Sequence, residues 1–250
     1  MTGAAPRIVW LSRDDPPDAF PPLESAFVEP DGLLAAGGDL SAERLLYAYR
    51  NGIFPWYDEG QPILWWSPDP RCIIAPSELH LARRLRRTLA KSDFFVSFNL
   101  AFDDVIARCA DERAGQPGTW ITEDMSRAYR KLHCDGWAHS VEVWQGETLV
   151  GGLYGLSIGK AFFGESMFSE TSGGSKLALL VLCRELVKRD FEVLDCQVVS
   201  PHLSSLGATL MPRPDFANLL ARACVAKTQL ILPASKRRPI SDFLPAVRPE

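Results

Sequence analysis

Histidine is scarce in this chain of 250 residues: four, at positions 80, 133, 139 and 202. None stands at H-x-x-x-H or H-E-x-x-H spacing, and the six cysteines, at 72, 109, 134, 183, 196 and 224, contain no C-x-x-C pair. Metal ligand sets usually show clustered spacing, so no dedicated metal site is expected. Cysteines scattered through apolar patterns read as free, buried, reduced thiols of a cytoplasmic protein. Long apolar runs are missing too. The longest, Leu177 to Cys183, has seven residues, far below the roughly 20 of a spanning helix. No basic segment followed by an apolar stretch opens the chain, so neither a secretory signal nor membrane insertion is expected. Neither sign of charge dominates: 27 basic and 31 acidic residues leave −4. That argues mildly against nucleic acid as a partner of the whole surface, although a net charge hides local patches. With 46% hydrophobic and 23% charged residues the composition is that of a folded globular protein. The length suits one large domain or two modest ones.

Two unequal parts are present. Residues 1–69 are rich in Pro, Gly and Trp and form a small N-terminal domain. Pro16, Pro17, Pro21, Pro22 and Pro30 keep the first 30 residues irregular. One helix is expected over Ala42–Arg50, capped by Asp39 or Ser41 and ended by Gly52. Trp56, Trp65 and Trp66 fall within eleven residues, between prolines. From residue 70 to about 232 the pattern is α+β. A short strand at Arg71–Ala75 precedes a helix capped by Ser77 and running to about Lys91. A strand over 93–98, a helix through Phe102–Cys109, and a helix capped by Thr122 follow. His139–Trp144, Thr148–Ile158 and Lys160–Met167 then read as antiparallel strands, with turns at Gly146 and Gly159. Ser175–Arg189 is a strongly apolar helix and Phe191–Val199 a buried strand. Pro214 opens a last helix to about Ala226, Thr228–Leu232 closes as a strand, and the tail 233–250 is expected to be loosely held.

Three antiparallel strands, a helix, then a strand parallel to its predecessor is an order similar to the GNAT-type acyltransferase core. That likeness concerns the fold and fixes no substrate. In such a βαβ unit the strands carrying Glu165 and Leu194-Asp195-Cys196-Gln197 are parallel neighbours. Period 2 puts Asp195 and Gln197 on one face and Cys196 on the other. Polar groups on a buried apolar strand need partners or a task. They form either a structural hydrogen-bond network or a site shared with Glu165. At the helix N-terminus, Glu170-Thr171-Ser172-Gly173-Gly174-Ser175 lies where the coenzyme A pyrophosphate loop would be. It carries an anionic Glu where that loop has Gln or Arg, so coenzyme A is not expected.

Arg83, Arg84, Arg86, Arg87 and Lys91 put five basic residues into nine positions, with no acid between Glu78 and Asp93. Solvated helix faces usually mix signs. A single-sign ridge on an acidic protein suits a phosphate backbone. Trp56 and Trp120 could stack unpaired bases or belong to the core. An acyl donor carried on RNA reconciles an acyltransferase core, a degraded coenzyme A loop, a basic ridge and stacking aromatics.

The sequence in fact resembles the leucyl/phenylalanyl-tRNA–protein transferase family over residues 6 to 225. The resemblance rests on Pro30-Asp31-Gly32-Leu33-Leu34, Gly37-Gly38-Asp39-Leu40, Gly52-Ile53-Phe54-Pro55-Trp56, Ile63 to Arg71, and Gly118-Thr119-Trp120-Ile121-Thr122. It continues through His139 to Trp144, Leu149 to Gly155, Phe163 to Ser169, Leu194 to Val198 and His202 to Ala208. It implies transfer of Leu or Phe, less readily Met, from aminoacyl-tRNA to the N-terminal Arg or Lys of an acceptor protein, marking it for degradation. It implies a small N-terminal domain on a GNAT-like domain with a mixed, mostly antiparallel sheet flanked by helices. The implied site has Asp195, Gln197 and Glu165 at the catalytic centre and Trp56 and Trp120 on the terminal adenosine. Leu153, Phe162, Met167, Leu179, Leu182 and Leu194 would line an apolar side-chain pocket, and Arg83, Arg84, Arg87 and Lys91 would meet the acceptor stem. Ala90 departs from a basic family position. The ester is already activated, so no cofactor is needed. Asp195 is the candidate proton acceptor, or it positions the amine while the tRNA relays the proton. A carboxylate such as Asp195 or Glu165 would favour a cationic acceptor. A cytoplasmic monomer is expected. Two other readings stay open: another GNAT-like transferase, using coenzyme A or building cell-wall peptides from aminoacyl-tRNA, and a non-catalytic RNA-binding protein.

Overall fold

The computed structural model describes residues 7–90, 92–111, 121–225, 230, 232, 234 and 236–243. Near the N-terminus, β1 (Val9–Leu11), β2 (Leu33–Gly37), β3 (Phe54–Pro55) and β4 (Leu64–Trp66) form a small sheet in the order β1-β2-β4-β3, with α1 (Ala42–Arg50) between β2 and β3. Ser41 caps α1: its Oγ accepts the Arg44 N–H at 3.4 Å.

The large sheet contains β5 (Arg71–Ile74), β6 (Phe94–Phe98), β7 (Ala138–Gln145), β8 (Thr148–Ile158), β9 (Ala161–Ser169), β10 (Val193–Gln197), β11 (Thr209–Met211) and β12 (Arg238–Pro239), in the order β11-β5-β10-β9-β8-β7-β6-β12. Only the β9–β10 pair of this sheet is parallel among the described residues; the others are antiparallel. The parallel pair is joined by α5 (Gly174–Val187), as a crossover requires. The fold is therefore mixed α+β and mostly antiparallel, with helices on both faces. The β8–β9 hairpin turns at Gly159, at φ 59°.

The helix α5 and Leu89 of α2 (Arg83–Ala90) pack on one face, against Val141, Val143 and Leu153. On the other, α3 (Phe102–Asp111), α4 (Glu123–Cys134) and, after the short α6 (Pro201–Ser205), α7 (Arg213–Ala223) join a cluster that also holds Tyr49 and Trp65 of the small-sheet region together with Phe163. The small sheet thus sits against the same core. Thr122 caps α4, its Oγ1 accepting the Met125 N–H at 3.2 Å.

Three expectations change. The helix expected from Ser77 begins at Arg83 instead. Pro76–Glu78 is a single 3₁₀ turn, and the His80 N–H goes to the Leu206 carbonyl at 2.8 Å, so no i→i−4 ladder starts there. The strand expected over Phe191–Val199 shortens to Val193–Gln197, because Gln197 adopts φ 63°. The tail is not loose where it is described. Arg238 and Pro239 pair with β6, Ile240 and Phe243 are buried, and the Arg237 guanidinium lies 3.8 Å from the Trp144 ring centre. Most of the expected strand Thr228–Leu232 lies outside the described residues; Leu230 and Leu232 are buried.

Candidate active site

Beyond Asp195 and Phe163 the parallel strands β9 and β10 stop pairing, and a cavity of about 410 Å³ opens between them. Ligand sites commonly have this size. Its mouth is formed by Phe54, Pro55 and Trp56, so the small sheet supplies one wall.

Two bulges aim the polar side chains. In β9, Ser166 pairs with Tyr154 and Gly164 with Gly155, which leaves Glu165 as an extra residue. In β10, Asp195 pairs with Ile73 and Gln197 with Cys72, which leaves Cys196 extra. A bulge breaks period 2 and redirects side chains. Gly155 is needed opposite the first one, since a Cβ there would stand 2.1 Å from the Phe163 carbonyl oxygen. The expectation that Asp195 and Gln197 share a face and exclude Cys196 is corrected here. Cys196 and Gln197 both line the cavity, while Asp195 is fully buried behind them.

Asp195 is engaged on both oxygens. Arg71 donates through Nε to Oδ1 at 2.8 Å and through Nη2 to Oδ2 at 2.7 Å. Arg71 is itself fully buried, donates to the Gly52 carbonyl at 2.9 Å, and lies between the rings of Phe54 and Phe216. This is a bidentate, desolvated pair of the strong kind. Asp195 Oδ1 also accepts the Gln197 backbone N–H at 2.9 Å, which fixes Gln197 in its left-handed conformation.

Glu165 differs. It is buried, and the donors to it are neutral: Tyr49 Oη at 2.7 Å, Tyr129 Oη at 2.6 Å and Gln197 Nε2 at 3.0 Å. The two tyrosine oxygens also lie within hydrogen-bond reach of each other, so either hydroxyl can give its single proton to its neighbour in place of Glu165. Burial, above all, pushes the Glu165 carboxyl up to about 7, helped by the charge of Asp195. The hydroxyls of Tyr129 and Tyr49 and the Gln197 amide act in the opposite direction. Both tyrosines are raised well above their ordinary range, by burial first and then by the Glu165 charge. They remain protonated donors.

Of the six expected pocket residues, Leu153, Met167, Leu179, Leu182 and Leu194 line the cavity. Phe162 does not; it is buried in the core behind, against Gly155. Trp56 stands on the rim, 40% exposed, its ring tilted against Trp66 at 5.8 Å. Trp120 and Lys91 lie outside the described residues. Arg83, Arg84 and Arg87 are exposed on α2 and, with Thr88, outline a shallow hollow away from the cavity. At the start of α5, Glu170 pairs with Arg108 and the Ser175 N–H donates to Ser169 Oγ at 3.2 Å, so these groups of the 170–175 loop are engaged within the fold. Among the described residues, no group of three or more His, Cys, Asp or Glu is arranged to hold a metal, and no helix is long and apolar enough to cross a membrane.

The family model described as leucyl/phenylalanyl-tRNA protein transferase matches residues 73–221, and that of its N-terminal domain matches residues 38–69. The chain belongs to this family. The leucyl/phenylalanyl-tRNA–protein transferase of Ectopseudomonas mendocina is 56% identical over 215 residues, 86% of this chain and 94% of that protein. That of Stutzerimonas stutzeri is 55% identical over 214 residues, 86% and 94%. That of Saccharophagus degradans is 50% identical over 218 residues, 87% and 89%. The matched segments contain the bulge residues Glu165 and Cys196, and Arg71 falls in the three-residue gap between the two matches.

Arg71, Tyr49 and Tyr129 were not anticipated. Their signals are faint but readable. Arg71 is a lone charge heading an apolar strand. Tyr49 and Tyr129 sit on the apolar stripes of α1 (with Leu45 and Ala48) and α4 (with Met125 and Leu132), where a polar tip needs a partner.

Proposed function

We propose that this enzyme transfers Leu or Phe, and less readily Met, from aminoacyl-tRNA to the N-terminal Arg or Lys of an acceptor protein, and that the added residue marks the acceptor for degradation. Aminoacyl-tRNA is a cytoplasmic substrate, so the reaction is assigned to the cytoplasm. The observation that carries the reading is the pairing, in one cavity, of an apolar wall with a buried carboxylate whose donors are all neutral.

The apolar wall suits the transferred side chain. Leu153, Met167, Leu179, Leu182 and Leu194 offer burial and no polar partner, so charged side chains would be desolvated without compensation. A methylene is worth only about 1–3 kcal/mol in such a pocket, which fits acceptance of several apolar residues. Trp56 on the rim suits stacking of the terminal adenosine, and the α2 ridge of Arg83, Arg84 and Arg87 suits the phosphates of the acceptor stem.

The carboxylate suits the acceptor. Among the described residues no cation pairs with Glu165, and the guanidinium or ammonium of an N-terminal Arg or Lys would supply one in a low-dielectric site. The neutral α-amine then attacks the ester carbonyl carbon, a C–N bond forms, and the C–O bond to the ribose breaks. The amine loses a proton and the ribose oxygen gains one. Gln197 is assigned to hold the amine through its amide oxygen, its Nε2 being directed to Glu165. Asp195 is assigned as a positioning residue, because Arg71 engages both of its oxygens and it reaches the reaction only through Gln197. The ribose hydroxyls of the tRNA are left to carry the proton.

The test is one assay: Phe-tRNA and a model protein beginning with Arg, read by intact mass. A gain of one Phe on the Arg protein, and none on the same protein beginning with Glu, supports the reading. No gain on either refutes it.

A further inference from the structure

The transfer reaction gives the cysteines no task, yet two of them meet in the cavity wall. Cys72 is buried in β5 beside Arg71, and Cys196 is the extra residue of the β10 bulge, half-buried and lining the cavity. Gln197, the next residue, is the register partner of Cys72. The bulge sets Cys196 and Gln197 together opposite Cys72, where facing Cα atoms stand about 4.5–5.5 Å apart, close to the roughly 4.4–6.8 Å that a disulfide spans. The Cys196 Sγ lies 3.9 Å from the Leu194 carbonyl oxygen, and each thiol is the largest influence on the other's ionisation.

We propose that Cys72 and Cys196 are a modification site: a dithiol that a hydroperoxide converts to a disulfide, that thiols reduce again, and whose closure stops aminoacyl transfer. Cys196, the member of the pair that lines the cavity, meets the oxidant. Its thiolate attacks one peroxide oxygen, the O–O bond breaks, and Cys196 sulfenic acid and water remain. The Cys72 thiolate then attacks the Cys196 sulfur, the S–O bond breaks, and a second water leaves. Two thiols lose two electrons and one peroxide gains them.

The environment divides the roles. The Cys196 thiol, more than anything else, holds the Cys72 thiol below its ordinary range, against burial and the Asp195 charge. That suits the resolving thiolate. The Cys72 thiol, then burial, pushes Cys196 well up. The first step is therefore slow, and the pair answers sustained rather than brief exposure.

Closure matters because of what lies on either side of Cys196. Asp195 is pinned by Arg71, and Gln197 is held at φ 63° by Asp195 and aimed at Glu165. Drawing the Cys196 sulfur back toward β5 turns the peptide between 196 and 197 and withdraws Gln197 from the cavity. Displacements near 1 Å can cost about 10²-fold in rate. The loss of transfer rests on the function proposed above; formation of the bond does not.

The test exposes the full chain to hydrogen peroxide, blocks free thiols, digests without reduction and maps linked peptides, with Phe transfer measured before exposure, after it, and after dithiothreitol. The expected result is a Cys72–Cys196 linked peptide, transfer reduced about tenfold or more, and recovery on reduction. Cys72→Ala, or the near-isosteric Cys72→Ser should the first variant fold poorly, is expected to start at wild-type activity and keep most of it through exposure. Absence of the linked peptide in the wild type overturns the proposal. So does a fully linked protein that still transfers at its starting rate, or a Cys72 variant inhibited as strongly and reversibly as the wild type. A protein inactive before exposure would count against the function, while the peptide map still judges the bond.

Discussion

Replacing Glu165 with Gln should make the protein more stable and less able to choose its acceptor. The carboxyl moves from an ordinary 4.5 to about 7 on folding, with burial as the main cause. A carboxyl raised in the fold binds its proton more tightly there than in the unfolded chain. The Glu165 contribution to stability is therefore fully present below about 4.5, falls as pH rises toward 7, and is gone above. At about 1.4 kcal/mol per pH unit, the span is worth about 3 kcal/mol. Glutamine keeps the shape, still accepts from a tyrosine hydroxyl, and has no charge to desolvate. The variant should match the wild type near pH 4.5 and exceed it by up to about 3 kcal/mol at pH 8, roughly 6–12 °C in Tm for a chain of this size. His139 works in the other direction: burial pushes it down to about 4, so its contribution is present above 6.5 and lost as pH falls toward 4. It is common to both proteins, so the difference between their urea curves across pH isolates Glu165. In parallel, transfer to an N-terminal Arg should lose its rise across neutral pH in the variant. A variant less stable than wild type at pH 8, or a stability difference independent of pH, would refute the assignment of an uncompensated carboxylate.

Other outcomes follow from the remaining parts of the site. Arg83→Glu with Arg87→Glu should weaken binding of all tRNAs alike and leave the Leu/Phe preference unchanged, because phosphate contacts position and do not specify; filter binding across a salt series checks this, and a salt-independent wild-type affinity would remove the ridge. Met167→Ala should lower kcat/KM for Leu-tRNA by about tenfold and for Phe-tRNA by less, since the smaller side chain leaves the larger void; equal falls would take Met167 out of the pocket. Asp195→Ala should cost about 3–5 kcal/mol by leaving Arg71 buried without a partner, and Arg71→Met added to it should recover much of that loss in a denaturation double-mutant cycle. Transfer should stay low in that double variant, because the Gln197 N–H has lost the carboxylate that fixes it.

Much of the fold was legible because it is written in local chemistry. Ser41 and Thr122 cap their helices, Gly159 turns its hairpin, and the apolar run in α5 announces a buried crossover with β10 parallel to β9. The position of Glu165 opposite Gln197 was also legible, from strand order alone. What was not legible belongs to pairs of strands rather than to either sequence. The bulges at Glu165 and Cys196 are defined only against Tyr154-Gly155 and Ile73-Cys72, so period 2 assigned Asp195 to the cavity and Cys196 away from it. The delayed start of α2 depends on the Leu206 carbonyl, far along the chain. Phe162 reads as a pocket residue only by the family resemblance; it shares the face of its register partner Leu194 but lies deeper, fully buried with its ring against Gly155.

Asp195 and Glu165 are bridged by one residue, Gln197, through its backbone N–H to Asp195 and its side-chain amide to Glu165, and both are buried; they differ in their cation. Arg71 neutralises Asp195 permanently, with both partners fully desolvated. A charge so matched is silent toward a ligand, and its use is geometric: it holds the backbone of Gln197. Glu165 has hydroxyl and amide donors instead. These ease its ionisation without neutralising it, and the balance against burial leaves it near half-ionised at neutral pH. Were Glu165 matched by a resident cation, as Asp195 is, the cavity would be electrically satisfied and indifferent to the acceptor's first side chain. Were the tyrosines phenylalanines, the carboxyl would rise further and meet a cation as a neutral acid. The proposed selectivity for a cationic N-terminus therefore rests on the asymmetry between the two carboxylates, and not on the presence of acidic residues as such.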